Sequence, residues 1–131
     1  MRRLLFVTLL AAACGGGHSP TAPDTAALGR LSGVVTIGPN CPVEQVGVPC
    51  PPSPEAYALR KVLVYDAQHN QLLHTVDIDS QGLYLIDLPP ATYVVDLKKA
   101  GIDRSGDVPA SVTIHANAVT TLNISIDTGI R

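Results

Sequence analysis

The sequence predicts an all-β sandwich, preceded by a signal peptide and a flexible tether. The chain has 131 residues, which suit one domain rather than two. Short runs of β-branched and apolar residues alternate with polar ones and end at turn residues, as half-buried strands do. Beyond the first thirteen residues, no window of a dozen residues keeps the 3.6-residue period of a helix. These observations favour two facing β-sheets over a helical fold.

Seven strands are predicted between residues 31 and 126, each bounded by residues that favour turns, such as Gly, Pro, Asn and Asp. In order they cover residues 31–37, 61–65, 72–78, 83–88, 92–97, 111–114 and 120–126. In the fourth strand, alternation places Tyr84, Ile86 and Leu88 on the face that we expect to point inward. Leu83 and Leu85 then point outward.

The first fourteen residues have the pattern of an export signal. Arg2 and Arg3 form a short basic region, residues 4–13 are almost entirely apolar, and the run ends in small residues at Cys14. An apolar run of about ten residues is too short for a transmembrane helix, which needs about 20. Residues 1–13 are therefore predicted to be a signal peptide.

The position of Cys14, after Leu10 and three alanines, resembles the lipobox of bacterial lipoproteins. That motif usually has its Leu three residues before the Cys, a place that Ala11 fills here. The resemblance implies that Cys14 carries acyl chains, palmitate among them, which hold the protein in a lipid bilayer. Gly15 in place of Asp favours the outer membrane if the host is Gram-negative. The alternative is an ordinary signal peptide cut near Ala13, which leaves Cys14 as a free thiol.

Residues 14–29 are predicted to be a flexible tether. Gly, Ser, Thr and Pro are frequent in this stretch, and it has no apolar periodicity. About fifteen such residues reach roughly 20 Å as a root-mean-square distance. The tether would therefore hold the domain of residues 30–131 just off a bilayer.

The two remaining cysteines are predicted to form a disulfide. Cys41 and Cys50 have eight residues between them, several of which favour turns, and an exported compartment permits the bond. A zinc site is the alternative, but the chain has no second cysteine pair at a spacing typical of zinc. Pro51, Pro52 and Pro54 stiffen the segment that follows and exclude a central strand there.

The segment of residues 75–95 carries a family resemblance. Its pattern is an acidic turn that ends in Gly, an aromatic residue two positions on, a Leu-Pro pair, a small residue and, two positions later, a Tyr. These places are filled by Gly82, Tyr84, Leu88, Pro89, Ala91 and Tyr93, with Ala91 where the family usually has Gly. The segment resembles the carboxypeptidase regulatory-like domain, which is similar in fold to transthyretin.

That resemblance covers about residues 31–126 and implies a seven-stranded prealbumin-like or Ig-like β-sandwich. It implies structural roles for the motif residues, with the hydroxyl of Tyr93 at the rim of the core. It also implies a domain that is an accessory to enzymes rather than a catalytic unit.

The sequence predicts no catalytic, metal or cofactor site. It lacks the HExxH and HxxE zinc motifs and the GxSxG nucleophile motif. His69 and His74 are close in sequence but lie on different parts of a hairpin. Residues 77–82 echo the start of a calcium loop, yet Gln81 and Leu88 stand where that loop needs oxygen donors. A hairpin turn explains these residues better.

The charge balance narrows the class of partner. Of the nine basic residues, Arg2 and Arg3 leave with the signal peptide, so seven remain against eleven acidic ones. This balance provides no basic face for nucleic acid. It also disfavours direct docking on anionic lipid, so membrane association depends on Cys14.

The sequence therefore predicts a non-catalytic, membrane-anchored lipoprotein of the cell envelope, with a structural or protein-binding role. The loop closed by Cys41 and Cys50 is either a structural cover over a sheet edge, the simpler interpretation, or a recognition loop for an envelope protein. A homodimer through an exposed edge strand is compatible, with Leu83 and Leu85 as its apolar contact. The alternative function is a small-ligand or peptide-binding module of the transthyretin-like type, and a small hydrolase is the remote alternative.

Overall fold

The computed structural model describes residues 27–43 and 45–130, so the predicted signal peptide and most of the tether lie outside the described residues. In this part of the chain, two β-sheets face each other and one short helix joins β1 to β2, which confirms the predicted all-β sandwich. The elements are β1 (Gly29–Gly38), α1 (Pro54–Ala58), β2 (Lys61–Tyr65), β3 (Leu72–Asp77), β4 (Leu83–Leu88), β5 (Thr92–Lys98), β6 (Ala110–Thr113), β7 (Val119–Thr121) and β8 (Ile124–Asp127).

The first sheet is built around β1, its central strand. β1 pairs antiparallel with β4 on one side and parallel with β7 and β8 on the other. β7 runs beside residues 30–32 of β1, and β8 runs beside residues 35–38. The second sheet has the order β3-β2-β5-β6 and is antiparallel throughout. The turn between β3 and β4 therefore carries the chain from one sheet to the other, so the hairpin predicted over residues 77–82 is wrong: a turn is there, but its two flanking strands pair with β2 and β1 instead of with each other.

The last predicted strand, residues 120–126, is two short strands in the structure. β7 ends at Thr121 and β8 begins at Ile124. Between them, the Leu122 N–H donates to the Ser32 carbonyl at 2.9 Å, and the side-chain oxygen of Asn123 accepts from the Val34 N–H at 3.0 Å. A side chain thus replaces a main-chain partner, which is why the ladder is interrupted there.

Gly33 determines where this interruption lies. A Cβ atom on Gly33 would lie 1.9 Å from the carbonyl oxygen of Leu122 and 3.0 Å from the ring of Tyr84. The Tyr84 hydroxyl donates to that same Leu122 oxygen at 2.5 Å. This close approach of two backbones requires glycine, and the hydrogen bond links β4 to the β7–β8 segment across β1.

The core lies between the inward faces of the two sheets. Burial of each aliphatic side chain there contributes about 1.5–3 kcal/mol. In β4, Tyr84 and Leu88 are buried and Ile86 packs partly buried against the core, whereas Leu83 and Leu85 are exposed. The predicted inward and outward rows of this strand are confirmed. The fully buried core side chains are Leu31, Val35, Val62, Val64, Leu88, Val95, Ile114 and Ile124.

Helix α1 lies in the segment that the sequence analysis assigned to a stiff loop. Ser53 is its N-cap and accepts a hydrogen bond from the Ala56 N–H at 3.3 Å, and Pro54 occupies the first turn. Proline suits that position because its missing N–H has no helical partner there. The helix buries Tyr57 against the core.

A buried ion pair fixes the end of this helix to the turn after β5. Arg60 and Asp103 are 7% and 6% exposed, and two hydrogen bonds of 2.6 and 2.9 Å join the guanidinium to the carboxylate. The guanidinium also donates to the Ala56 carbonyl at 2.7 Å, and the carboxylate accepts from the Ala100 N–H at 3.0 Å. Each charge is therefore both paired and hydrogen-bonded, as burial requires.

Removing one member of this pair is expected to destabilise the fold more than removing both. Arg60→Met leaves the Asp103 carboxylate buried without its partner and should cost about 3–5 kcal/mol in the free energy of unfolding. The double variant Arg60→Met with Asp103→Leu should recover most of that loss. Urea unfolding at neutral pH measures both. Arg30→Met is the matched control, because its ion pair with Asp87 is exposed and should change little.

The same pair predicts an acid-sensitive contribution to stability. Burial raises the pKa of Asp103, but the hydrogen bonds from Arg60 and the Ala100 N–H outweigh it, so the pKa lies below the ordinary value. A folded-state pKa below the unfolded one stabilises the fold above about pH 4. That stabilisation is lost as the pH falls through the folded value, and the double variant should lack this part of the acid dependence.

Candidate recognition loop

The segment between β1 and α1, residues 39–53, contains the predicted disulfide. Cys41 and Cys50 are joined, with their Cα atoms 6.3 Å apart. We call residues 41–50 the disulfide loop. A disulfide is typical of proteins in exported compartments.

Polar contacts fix the base of the disulfide loop to β1 and β8. The side-chain amide of Asn40 donates to the carbonyls of Ile37 at 2.8 Å and Cys50 at 3.1 Å. After β8, the Thr128 hydroxyl donates to the Pro39 carbonyl at 2.5 Å. Both ends of the loop are therefore attached to the sandwich as well as to each other.

The tip of the disulfide loop is a tight turn. Gly47 has φ +87°, a conformation that glycine adopts without strain. The Val48 N–H donates to the Gln45 carbonyl at 3.0 Å and closes this turn. Residues 45–49, on both sides of Gly47, are exposed.

The valines of the disulfide loop face solvent. Val43 is 73% exposed, Val48 is 61% exposed, and Val46 is fully exposed. A loop that covers a sheet edge would bury such side chains against it. Their exposure favours the recognition interpretation over the structural cover.

The disulfide loop carries little charge. Glu44 is the one charged residue in the sequence between positions 39 and 53. An apolar loop with few charges can enter an interface without stripping water from ions, which is costly. Its chemistry therefore suits contact with an apolar surface.

The loop and the tether meet the domain at opposite ends of β1. The chain enters β1 at Gly29 and leaves it at Gly38, just before the loop. Ten residues of strand at about 3.3 Å each span roughly 30 Å. The disulfide loop is thus remote from the point where the tether joins the sandwich.

The residues of the family motif stabilise the turns on either side of β4 and the core. Gly82 has φ +84°, and a Cβ atom there would lie 2.4 Å from the Val35 carbonyl oxygen. Leu88 is fully buried. The Tyr93 hydroxyl donates to the Pro89 carbonyl at 2.7 Å, which ties the turn after β4 to β5. These contacts give the motif residues structural roles.

Two of the buried tyrosines, Tyr84 and Tyr93, act as neutral hydrogen-bond donors. Burial raises the pKa of Tyr84 to about 12, and it also raises the pKa of Tyr93. Both hydroxyls therefore keep their protons near neutral pH and donate to carbonyl oxygens. Neither phenol is prepared to act as a base or a nucleophile.

The acidic residues that echo a calcium loop already have partners within the fold. The Asp79 carboxylate accepts from the N–H groups of Gln81 at 2.9 Å and Leu83 at 2.8 Å. Asp77 forms an ion pair with Lys61 at 2.5 Å. The turn therefore accounts for the Asp79 carboxylate, and pairing across β2 and β3 accounts for that of Asp77.

The histidines are not assembled into a metal site in the described residues. His69 Nε2 lies 3.4 Å from the Asp96 carboxylate, and its ring meets Tyr65 edge-on at 4.4 Å. His74 is exposed on β3. Among residues 27–43 and 45–130, no three His, Cys, Asp or Glu side chains are grouped so that they could hold a metal ion.

The predicted lipidation residue, Cys14, lies outside the described residues. Among residues 27–43 and 45–130, no helix is long and apolar enough to cross a bilayer. The anchor stays a prediction from the sequence.

Comparison with known proteins confirms the fold class. No family model and no curated protein matches the chain. The fold is similar to a minor pilin of the Gram-positive pathogen Streptococcus agalactiae, with a TM-score of 0.52 and 17% identity over 77% of this chain and 44% of the pilin.

Two solved proteins of the DUF3823 family are also similar. The one from Parabacteroides merdae has a TM-score of 0.46 and 18% identity, over 77% of this chain and 46% of that one. The one from Bacteroides ovatus has a TM-score of 0.40 and 14% identity, over 74% and 44%. This chain spans less than half of the length of each structure. The similarity to the pilin supports a β-sandwich fold for the described residues.

The disulfide is expected to stabilise the loop and the fold together. Replacing Cys41 and Cys50 by Ser reopens a loop of about ten residues and should cost about 2.5–3 kcal/mol. Urea unfolding measures this loss, and limited proteolysis should now cut near Val46. Far-ultraviolet circular dichroism should stay unchanged, because the loop adds no strand to either sheet. Unfolding and cleavage identical to those of the parent chain would contradict this role.

Proposed function

We propose that this chain is a non-catalytic lipoprotein domain of the cell envelope, anchored through Cys14, that recognises an envelope protein with its disulfide loop. The observation that carries the proposal is the set of three solvent-facing valines on a covalently closed, charge-poor loop. Val43, Val46 and Val48 supply an apolar surface that the sandwich itself does not use.

The geometry of β1 supports presentation of the loop away from a bilayer. An anchor at Cys14 would hold the Gly29 end of β1 within roughly 20 Å of the lipid. The disulfide loop leaves β1 at Gly38, the other end of the strand. The tether therefore leaves the loop accessible to a partner.

The closed loop is suited to binding because its two ends are held together and to the sandwich. Its ends are fixed by the Cys41–Cys50 bond and by Asn40. A loop that is restrained before it binds loses less conformational entropy in the complex. Contiguous exposed apolar side chains commonly mark surfaces that bind proteins.

The family resemblance and the shared fold agree with a non-catalytic role. Residues 75–95 resemble the carboxypeptidase regulatory-like domain, an accessory unit. A minor pilin has a similar fold, and we propose that this chain also acts at the cell surface rather than as an enzyme.

Small-ligand binding has one observation in its favour. A groove of about 740 Å³ runs between the end of β8 and the turn before β6. Three of its polar residues bind each other, since the Asp107 carboxylate accepts from the Ser125 N–H at 2.7 Å and the Thr36 hydroxyl donates to the Ser125 hydroxyl at 3.3 Å. The groove is open to solvent, and the disulfide loop is the better candidate.

The anchor is tested by the attachment of fatty acid. Cells that express the full chain should incorporate labelled palmitate into it, and Cys14→Ser should abolish the label because the thiol is the attachment point. The matched control is the pair Cys41→Ser and Cys50→Ser, which should keep the label. Equal labelling of the Cys14→Ser variant would refute the anchor.

The recognition loop is tested by photocrosslinking in intact envelopes. A photoreactive side chain at position 46 should yield a protein adduct that the same group at position 119 does not yield, although Val119 is also well exposed. Val48→Asp should suppress the adduct, because a carboxylate at an apolar contact is desolvated at a cost. Identical adducts from positions 46 and 119, or none from 46, would exclude the loop as the binding surface.

A further inference from the structure

Strand β4 forms an edge of the first sheet. The Val35 N–H donates to the Gly82 carbonyl at 2.7 Å, and the β1–β4 register continues from that pair. In an antiparallel ladder, residues alternate between those bonded to the partner strand and those whose main chain faces away. The main-chain groups of Leu83, Leu85 and Asp87 therefore face away from β1.

The turns at both ends of β4 limit the open part of this edge. The main chain of Leu83 is already used, because its N–H donates to the Asp79 carboxylate at 2.8 Å and its carbonyl accepts from the Asp79 N–H at 2.9 Å. At the other end, Pro89 has no N–H, and its carbonyl accepts from the Tyr93 hydroxyl. Within the described residues, the open main-chain groups of β4 are those of Leu85 and Asp87.

The side chains of the open segment do not guard it against pairing with another strand. Natural edge strands are commonly guarded by a charge that disfavours pairing. Here the Asp87 carboxylate is bound by the Arg30 guanidinium through hydrogen bonds of 2.7 and 3.0 Å, which turn it toward β1 and neutralise it. Leu85, on the same face, is 57% exposed.

We propose that β4 pairs with β4 of a second copy of this chain, antiparallel and across a two-fold axis at Ile86. Leu85 then lies opposite Asp87 of the second copy, and Ile86 lies opposite Ile86. Two donors and two acceptors from each copy form four hydrogen bonds. They join the first sheet of one copy to the first sheet of the other.

Other registers of the same pairing leave groups without partners. Setting Leu85 opposite Leu85 places Asp87 opposite Leu83, whose N–H and carbonyl are held by Asp79. Setting Asp87 opposite Asp87 places Leu85 opposite Pro89, which has no N–H to donate. The register centred on Ile86 uses every open group and ends where the turns have already satisfied the next ones.

A second copy suits this edge because the open segment is self-complementary. A two-fold interface brings the same patch of each subunit together, and each copy contributes equal numbers of donors and acceptors. The contact is short, so it is weak in dilute solution. If Cys14 is anchored as proposed above, confinement to one bilayer raises the local concentration of the partner strand. No residue of the disulfide loop takes part, so this pairing and loop recognition can fail independently.

A disulfide trap tests the register. In the proposed register, Ile86 lies directly opposite Ile86 of the second copy, and the two residues share no main-chain hydrogen bond. Such pairs have Cα atoms about 4.5 Å apart, which is within reach of a disulfide. In the full chain carrying Cys14→Ser, Ile86→Cys should give a species of twice the monomer mass under mild oxidation. Leu83→Cys and Leu73→Cys are the matched controls and should stay monomeric, because neither position faces its own copy.

A charged substitution tests the interface in a second way. Leu85→Asp places a carboxylate without a basic partner at the contact, opposite the Arg30–Asp87 ion pair of the second copy, and should lower the yield of the Ile86→Cys dimer at least about fivefold. Leu73→Asp on β3 should leave the yield unchanged. Sedimentation of the chain without introduced cysteines should show association that rises with concentration and that Leu85→Asp removes. Equal crosslinking from positions 83 and 86, no crosslinking from 86, or association that Leu85→Asp does not reduce would overturn the proposal.

Discussion

The pairing of β1 on both of its edges is the constraint on which the rest of the structure depends. β4 lies on one side, and β7 and β8 share the other side. Gly33 lets the Leu122 carbonyl approach β1 closely enough for the Tyr84 hydroxyl to reach it. This contact joins the middle of the chain to its last strands. It also determines which main-chain groups remain outside the ladders.

Most of the sandwich could be predicted from local pattern, because alternation and turn residues are local properties. The features that were missed depend on distant partners or on overlapping signals. Ser53 before Pro54 is a helix-start signal, but it stands at the end of a run of prolines that also predicts a loop. Nothing near Arg60 indicates that its carboxylate partner is Asp103, more than forty residues away. The break between β7 and β8 likewise depends on the close contact between Gly33 and Leu122.

The candidate site was predictable in part for the same reason. Counting cysteines in an exported chain leads to the Cys41–Cys50 bond, since one thiol is assigned to the lipid and two remain. The direction in which Val43, Val46 and Val48 point is a property of the folded loop, so the sequence favoured a cover where the structure shows exposure.

The two proposed interaction surfaces use groups that the fold leaves unused, and they lie in different places. The disulfide loop extends from one end of β1, whereas the open segment of β4 lies along the side of the same sheet. Pairing through β4 would leave the disulfide loop of each copy accessible. The paired segment is confined to the middle of β4, because Asp79 and Pro89 end the open edge at the turns before and after the strand. Two linked copies of one loop bind a repeated or clustered partner more tightly than a single copy does, without any new contact. A short and individually weak edge can therefore matter for recognition, provided that the anchor holds the copies in the same membrane.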